Sequence, residues 1–355
     1  MNGLIDQTAP VRPGEELDLA KVRQYLRQAL PELQGDLSIA QFPSGHSNLT
    51  YLLKVGNREM VLRRPPFGSK VKTAHDMNRE FRIFTALHPI YPLVPRPLAF
   101  CEDESVIGAK FYLMERIQGV ILRKEMPAGV DFSPKIATAL CESFIKNLAA
   151  IHGLDYKKAG LDQMGKPEGY LSRQVNGWAE RYVGSQTDDI PQMDRIIAWL
   201  KEKLPVSPPA TMVHNDYKYD NLILDPNDLT RIIGVLDWEM ATIGDPLADL
   251  GVALGYWVEK DDPTELKASA FGPTAAEGSY NRRRLAERYA EITGRDITHI
   301  HYYVVFALFK IAVIIQQIYY RFAKGLTQDS RFGAMIEAVK LISRAAVEMI
   351  ERGKI

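Results

Sequence analysis

The chain is poor in cysteine, has no excess of charge of either sign and lacks a long uninterrupted apolar run. Only Cys101 and Cys141 occur in 355 residues, and neither lies at a metal-ligand or redox spacing. A disulfide framework is thereby excluded, and two buried free thiols in a reducing compartment are expected. The 44 basic and 44 acidic side chains cancel. Without a bulk positive field, a nucleic-acid partner is not expected, and any charged site must be local. The opening residues, MNGLIDQTAPVRPGEELD, hold no apolar core of the kind a secretion signal needs. The most apolar window, 302–315, is interrupted by Lys310 and closed by Gln316 and Gln317. It falls short of the roughly 20 residues of a membrane span. A buried helix in a cytoplasmic protein with no membrane partner is the expectation. No internal repeat or low-complexity tract is present.

What the chain does have is enough apolar residue, 46%, for one large core or two modest ones. Residues 1–15, with Pro10, Pro13 and Gly14, predict a loose lead-in, followed by a helix over 17–33. Strands follow at 37–42, 49–55 and 59–63, separated by the turn signals Pro43-Ser44-Gly45 and Gly56-Asn57. Met77, Phe81, Phe84 and Leu87 recur at helical spacing over 74–88, and Pro89 stops the helix. Glu80 lies on that apolar face, where a carboxylate is unexpected. Strands at 97–101 and 110–116 complete a small antiparallel sheet. After Gly119 helices dominate, at 135–152, 172–182, 193–204, 247–258, 281–293, 298–322 and 331–352, with short strands at 221–224 and 232–236. The expectation is an α+β protein with a lead-in and helix over 1–35, a small sheet-rich lobe over 36–117 and a larger helical lobe over 118–355.

One stretch, residues 213–251, concentrates the chemistry: VHNDYKYDNLILDPNDLTRIIGVLDWEMATIGDPLADLG. Asp216 follows His214 at His-x-Asp spacing, Asn221 comes after four more residues, and the apolar run IIGVL delivers Asp237. Asp216 could accept a hydroxyl proton, while Asn221 and Asp237 could hold the magnesium that shields a nucleotide's phosphates. Singly, each is equally a turn or cap residue; the order of all three supports the chemical assignment. Lys218 could offset charge on a transferred phosphoryl group or be a solvated surface charge. Asp245, just before Pro246, is a plausible helix N-cap.

The segments HNDYKYDN, VLDWE and GDPLADL resemble those of the aminoglycoside phosphotransferase family of protein-kinase-like small-molecule kinases, over residues 36–325. The LRRPP and HNDYK segments are similar to those of its branch related to kinase domains fused to acyl-CoA dehydrogenases. The resemblance implies a two-lobed protein-kinase-like fold, with Asp216 as catalytic base or hydroxyl-orienting carboxylate. It makes Asn221 and Asp237 magnesium ligands, has His214 support the loop, and has Asp249 brace it by accepting backbone hydrogen bonds. Asn215 stands where relatives commonly have Gly, and Asn tolerates positive φ better than most residues.

On the nucleotide side, the hairpin turn 43–48 would cradle phosphates through backbone amides and the hydroxyls of Ser44 and Ser47; a plain turn needs no such role. MVLR resembles the kinase VAIK with Arg63 in place of Lys, and Glu80 would be its ion-pair partner. Arg64, on the opposite strand face, is expected in solvent. FYLMERIQG resembles the hinge, so backbone groups of Met114, Glu115 and Arg116 would meet the purine edge of ATP, with GTP not excluded.

Seven residues separate Asp237 from Asp245, which leaves little room for a peptide-docking segment and favours a small-molecule hydroxyl as acceptor. Helices beyond residue 255 are expected to line its pocket. Arg282, Arg283, Arg284, Arg321 and Lys324 make that region mildly basic, which disfavours a polycationic aminoglycoside, unless the run is a solvated helix face. The resemblance suggests hydroxyacyl-CoA as one candidate acceptor. The function expected is magnesium-dependent transfer of the ATP γ-phosphate to a small-molecule hydroxyl; the alternative is a catalytically silent nucleotide-binding or scaffold protein. Oligomeric state is not legible.

Overall fold

The structure, a computed structural model, describes residues 5–43, 48–67, 76–124, 126, 129–130, 132–267, 270–327 and 329–355. The chain divides into two compact units. The first comprises Met1–Ile121, Ala159–Leu161 and Asn221–Glu239, and the second Leu122–Lys158, Asp162–Asp220 and Met240–Ile355.

In chain order, helix α1 spans Leu19–Ala29, strands β1, β2 and β3 span Leu37–Gln41, Leu49–Val55 and Arg58–Arg64, and helix α2 spans Met77–Leu87. Strands β4 and β5 are Pro97–Cys101 and Phe111–Glu115. Helices α3, α4 and α5 cover Pro134–His152, Tyr170–Ser185 and Pro191–Glu202. The strands β6, β7, β8 and β9 are Thr211–Val213, Leu222–Asp225, Asp228–Val235 and Thr242–Gly244. Helices α6 to α10 are Pro246–Tyr256, Thr264–Lys267, Arg282–Thr293, Ile300–Ala323 and Met335–Arg352.

In the first unit β1 to β5 form an antiparallel sheet in the order β1-β2-β3-β5-β4. Alternation sorts its residues. Tyr51 and Leu53 of β2, Met60 and Leu62 of β3, and Phe111 and Leu113 of β5 share one core with Val22 and Leu26 of α1. Arg63, one residue out of phase with Leu62, therefore belongs to the other face. Asp18 starts α1 by accepting the Ala20 and Lys21 amides, and Asp76 starts α2 through the Arg79 amide. Gly56 turns β2 into β3 at φ 55°, and a Cβ there would sit 2.6 Å from the Gln34 carbonyl oxygen.

Arg64 corrects the expectation of a solvated side chain: it is 2% exposed. Its guanidinium lies 3.5 Å over the Phe67 ring and donates to the Ile107 carbonyl at 3.1 Å. The core side of the strand stays covered to its last residue, and a planar guanidinium can stack where an ammonium would not.

The second unit is helical around α9, which packs against α4, α5, α6 and α10. Small residues let α6 approach it closely. A Cβ at Gly251 would meet the Tyr303 carbonyl oxygen at 2.5 Å, and one at Gly255 the Ala307 Cβ at 2.9 Å. By length and composition α9 could cross a bilayer, more than the run broken by Lys310 suggested, but 67% of its apolar window is buried within the protein. The antiparallel pair β6–β9 was not foreseen from sequence. Each strand has three residues, too few for alternation to show.

Candidate functional site

The first unit gathers charge around Arg63. Its Nη1 lies 3.5 Å from Glu80 Oε1, and its Nη2 lies 3.1 Å from Asp237 Oδ1 and 3.9 Å from Glu239 Oε2. Glu80, 1% exposed, also accepts the Tyr112 hydroxyl at 2.8 Å and the Trp238 amide at 3.1 Å. Burial raises the Glu80 carboxyl above its ordinary value and Asp237 adds to this, while Arg63 and these two donors oppose it by favouring the anion. We take the pair as charged: burial pulls the Arg63 guanidinium down, and Glu80, Tyr112, Asp237 and Glu239 more than reverse it, holding the group well above its ordinary value. Arg63 Nε is buried without a hydrogen-bond partner among the described residues. Such an orphaned donor suits an anionic ligand.

Asp237 adopts φ 64°, the left-handed region that Asp tolerates better than most residues. Hairpin β7–β8 brings Asn221 beside it: Leu222 pairs with Val235, and the Leu236 amide donates to the Asn221 carbonyl at 2.8 Å. An amide and a carboxylate are the hard oxygen donors magnesium takes. No group of three or more His, Cys, Asp or Glu able to hold a metal occurs among the described residues.

Glu239 was not foreseen. Its carboxylate accepts Asn48 Nδ2 at 2.7 Å and its carbonyl accepts Arg79 Nη1 at 3.2 Å. Ser44 and Ser47 lie outside the described residues. Met114 is buried in β5, and the Glu115 amide already donates to the Arg96 carbonyl at 2.9 Å. Arg116 is held by Glu59 at 2.7 Å and by the Asp6 carbonyl at 3.1 Å.

In the second unit the loop after β6 is held from several sides. Asp249, in the first turn of α6 and fully buried, accepts the His214 and Asn215 amides, both at 2.7 Å. It also lies 3.0 Å from His152 Nε2, and His152 Nδ1 is 2.6 Å from the Tyr289 hydroxyl. With Nε2 protonated, the ring donates to Asp249 and accepts from Tyr289. Burial would raise the Asp249 carboxyl, but His152, His214 and the bonded amide bring it below its usual range.

Asn215 sits at φ 65°, the conformation that explains Gly in its place elsewhere. Its Oδ1 accepts the Tyr170 hydroxyl at 3.1 Å, its Nδ2 donates to the Met240 carbonyl at 3.1 Å, and its own carbonyl accepts Lys310 Nζ at 2.8 Å. The Asp216 amide donates to His214 Nδ1 at 3.2 Å, so His214 supports the loop with its ring as well as its amide. Asp216 pairs with Lys218 at 2.7 Å. The Lys218 ammonium lies 4.8 Å from the Tyr256 ring and 5.1 Å from the Phe271 ring. It is therefore an ordered member of the loop and not a solvated surface charge.

Asp245 caps α6 through the Leu247 amide at 2.8 Å and accepts the Tyr303 hydroxyl at 3.0 Å. The basic run is not uniformly solvated. The Arg282 side chain is 13% exposed and bonded to Asp262, while Arg284 pairs with Glu291 at 2.9 Å. These carboxylates offset the charge of two of the run's five basic residues. Tyr170, His152, Tyr289 and Lys310 were also missed; of these, only Lys310 left a signal, as a charge inside an apolar helix.

Three comparisons with known proteins bear on this geometry. Residues 38–287 match the profile of the Phosphotransferase enzyme family (APH). The chain is 36% identical over 353 residues to acyl-CoA dehydrogenase family member 11 of Rattus norvegicus, covering 97% of this chain but 45% of that protein. It thus spans under half the length of that relative. A crystal structure from Ralstonia eutropha JMP134, assigned as an aminoglycoside phosphotransferase, superposes with a TM-score of 0.79 at 32% identity, over 95% of this chain and 99% of that one. A thermostable mutant of an aminoglycoside phosphotransferase, in ternary complex with ADP and hygromycin B, shares the fold at a TM-score of 0.59 and 18% identity, over 93% of this chain and 98% of that one. Together with the antiparallel sheet and the helical unit, these matches show that the chain belongs to the aminoglycoside phosphotransferase family and has its α+β, protein-kinase-like fold.

Proposed function

We propose that the protein is a magnesium-dependent small-molecule kinase that moves the γ-phosphate of ATP to a hydroxyl group. The observation that carries this reading is the cluster of Arg63, Glu80 and Asp237. A buried guanidinium is fixed by a helix carboxylate, keeps one donor without an acceptor among the described residues, and lies 3.1 Å from a carboxylate in the left-handed conformation. A cation held by a helix glutamate, next to a metal-binding aspartate, is what a kinase needs at the nucleotide phosphates. The resemblance to a structure whose complex holds ADP and hygromycin B supports a nucleotide and a small molecule as ligands.

Asn221 and Asp237 would hold Mg2+, which when bound supplies neutralising charge at the phosphates. Arg63 would bind phosphate oxygens through its guanidinium. Asp216 would orient the acceptor hydroxyl and take its proton as that oxygen bonds to the γ-phosphorus and the bond from phosphorus to the bridging oxygen breaks, leaving ADP. Lys218 would offset charge on the phosphoryl oxygens. A hydroxyacyl-CoA or another metabolite alcohol is the acceptor class this reading favours, on the likeness to acyl-CoA dehydrogenase family member 11.

A thermal-shift comparison tests the nucleotide half of this reading. ATP should raise the melting temperature more with magnesium than without it, and Asp237→Ala should abolish that difference. Magnesium-independent binding that survives Asp237→Ala would instead indicate a nucleotide-binding scaffold without turnover.

A further inference from the structure

Lys310 breaks the apolar middle of α9 and is 3% exposed. A buried ammonium is costly unless it has well-placed partners. Burial pushes the group down to about 8, opposed by Asp216 and Asp249 and reinforced by Lys218 and Arg181. These four charges come from the loop, from α6 and from α4, and α4 also places the Trp178 ring 5.7 Å from the ammonium. The single hydrogen bond recorded for Lys310 Nζ among the described residues goes to the carbonyl of Asn215, at 2.8 Å.

That carbonyl matters because of where it lies. The Asn215 amide is held by Asp249, and its side chain by Tyr170 and Met240. Its carbonyl belongs to the peptide that leads into Asp216, the same peptide whose N–H donates to His214 Nδ1. Fixing the carbonyl fixes the plane of that peptide, and with it the direction in which the Asp216 side chain leaves the backbone.

We propose that Lys310 is a positioning residue for Asp216: from α9 it locks the 215–216 peptide through the Asn215 carbonyl, and its charge balances the carboxylates of Asp216 and Asp249. The catalytic part rests on the phosphotransferase reading; the loop-locking part does not. A purely space-filling role predicts a different outcome on substitution. Methionine has nearly the length of lysine and no charge to bury, so Lys310→Met would then be neutral or stabilising.

The test measures backbone hydrogen exchange over residues 213–217, together with hydrolysis of magnesium-ATP with water as acceptor, in the full chain. Lys310→Met should exchange about 10- to 100-fold faster in that loop, the equivalent of losing one hydrogen bond to a charged group. Peptides from α10 and the magnesium-ATP thermal shift should stay as in the wild type, and the hydrolysis rate should fall. Lys310→Arg, which keeps charge and donors, should recover part of the loop protection. Loop exchange unchanged in a folded Lys310→Met protein overturns the proposal.

If Lys310→Met does not fold, the wild type decides. Its loop protection, corrected for intrinsic exchange, should decline around pH 8, where the group titrates; protection that stays flat to pH about 9.5, more than a unit beyond, overturns the proposal. Asp216→Asn separates the two levels. If it leaves hydrolysis unchanged, the catalytic assignment of Asp216 falls, while the exchange result for Lys310 stands or falls separately.

Discussion

Asn215 shows how hydrogen bonds can hold a non-glycine residue in the left-handed region. The φ of 65° would strain most residues, and four hydrogen bonds to Asp249, Tyr170, Met240 and Lys310 over-determine it. Asn215→Ala keeps the strain and loses the side-chain bonds, so it should destabilise by about 2–4 kcal/mol. Asn215→Gly removes the strain and loses the same bonds, for about 1–2 kcal/mol. Urea unfolding of the two variants checks the order, and equal losses would show that backbone conformation is not the issue. Arg63 allows a second comparison. Arg63→Met leaves Glu80 buried without its cation and should cost about 3–5 kcal/mol, most of it recovered in Arg63→Met/Glu80→Gln, where only the partly exposed Asp237 and Glu239 lose their cation. Equal stability of the single and double variants would show that the pair is not charged.

The elements differ in how much of them the sequence revealed. Helix α2 was legible with its odd carboxylate, because an apolar stripe at helical spacing makes a Glu on that face conspicuous. The order of Asn221 and Asp237 in the sequence pointed to one shared place, and hairpin β7–β8 does bring the two positions together. The bonds from Asp249 to the loop amides match the bracing that the resemblance implied, but the further support was not legible: Lys310 is 95 residues from Asn215 and Asp249 is 97 from His152, and such pairs arise from helix packing that local periodicity does not encode. Arg64 was misread because strand alternation gives the face of a residue but not what covers it.

Helix α9 carries a pH signature with a definite sign. The Lys310 group sits at about 8 in the folded protein against 10.5 when unperturbed. Between those values the unfolded chain holds a proton that the folded protein has released. The contribution of this group to stability therefore rises with pH across the window and is lost as pH falls through about 8. Relative to Lys310→Met, the wild type should gain on the order of 3 kcal/mol over the full window. Urea midpoints at a series of pH values from 7 upward would show it, and a constant difference would place the titration elsewhere.

At the scale of the whole chain, the fold is that of the family, and the property left to measure is the acceptor. The seven residues between Asp237 and Asp245 contain strand β9 and end at the N-cap of helix α6. The arginines at 282 and 284 are paired with Asp262 and Glu291. The most direct measurement is transfer of labelled phosphate from magnesium-ATP to a panel of metabolite alcohols and hydroxyacyl-CoA esters, with Asp216→Asn run beside the wild type. We expect at least one acceptor to be labelled, with turnover lower by about 10² to 10⁴ in Asp216→Asn, the range for a positioned acid or base, and nucleotide binding nearly intact. Labelling at the same rate in both proteins would contradict the role of Asp216, and no labelling of any acceptor alongside intact magnesium-ATP binding would contradict the kinase assignment.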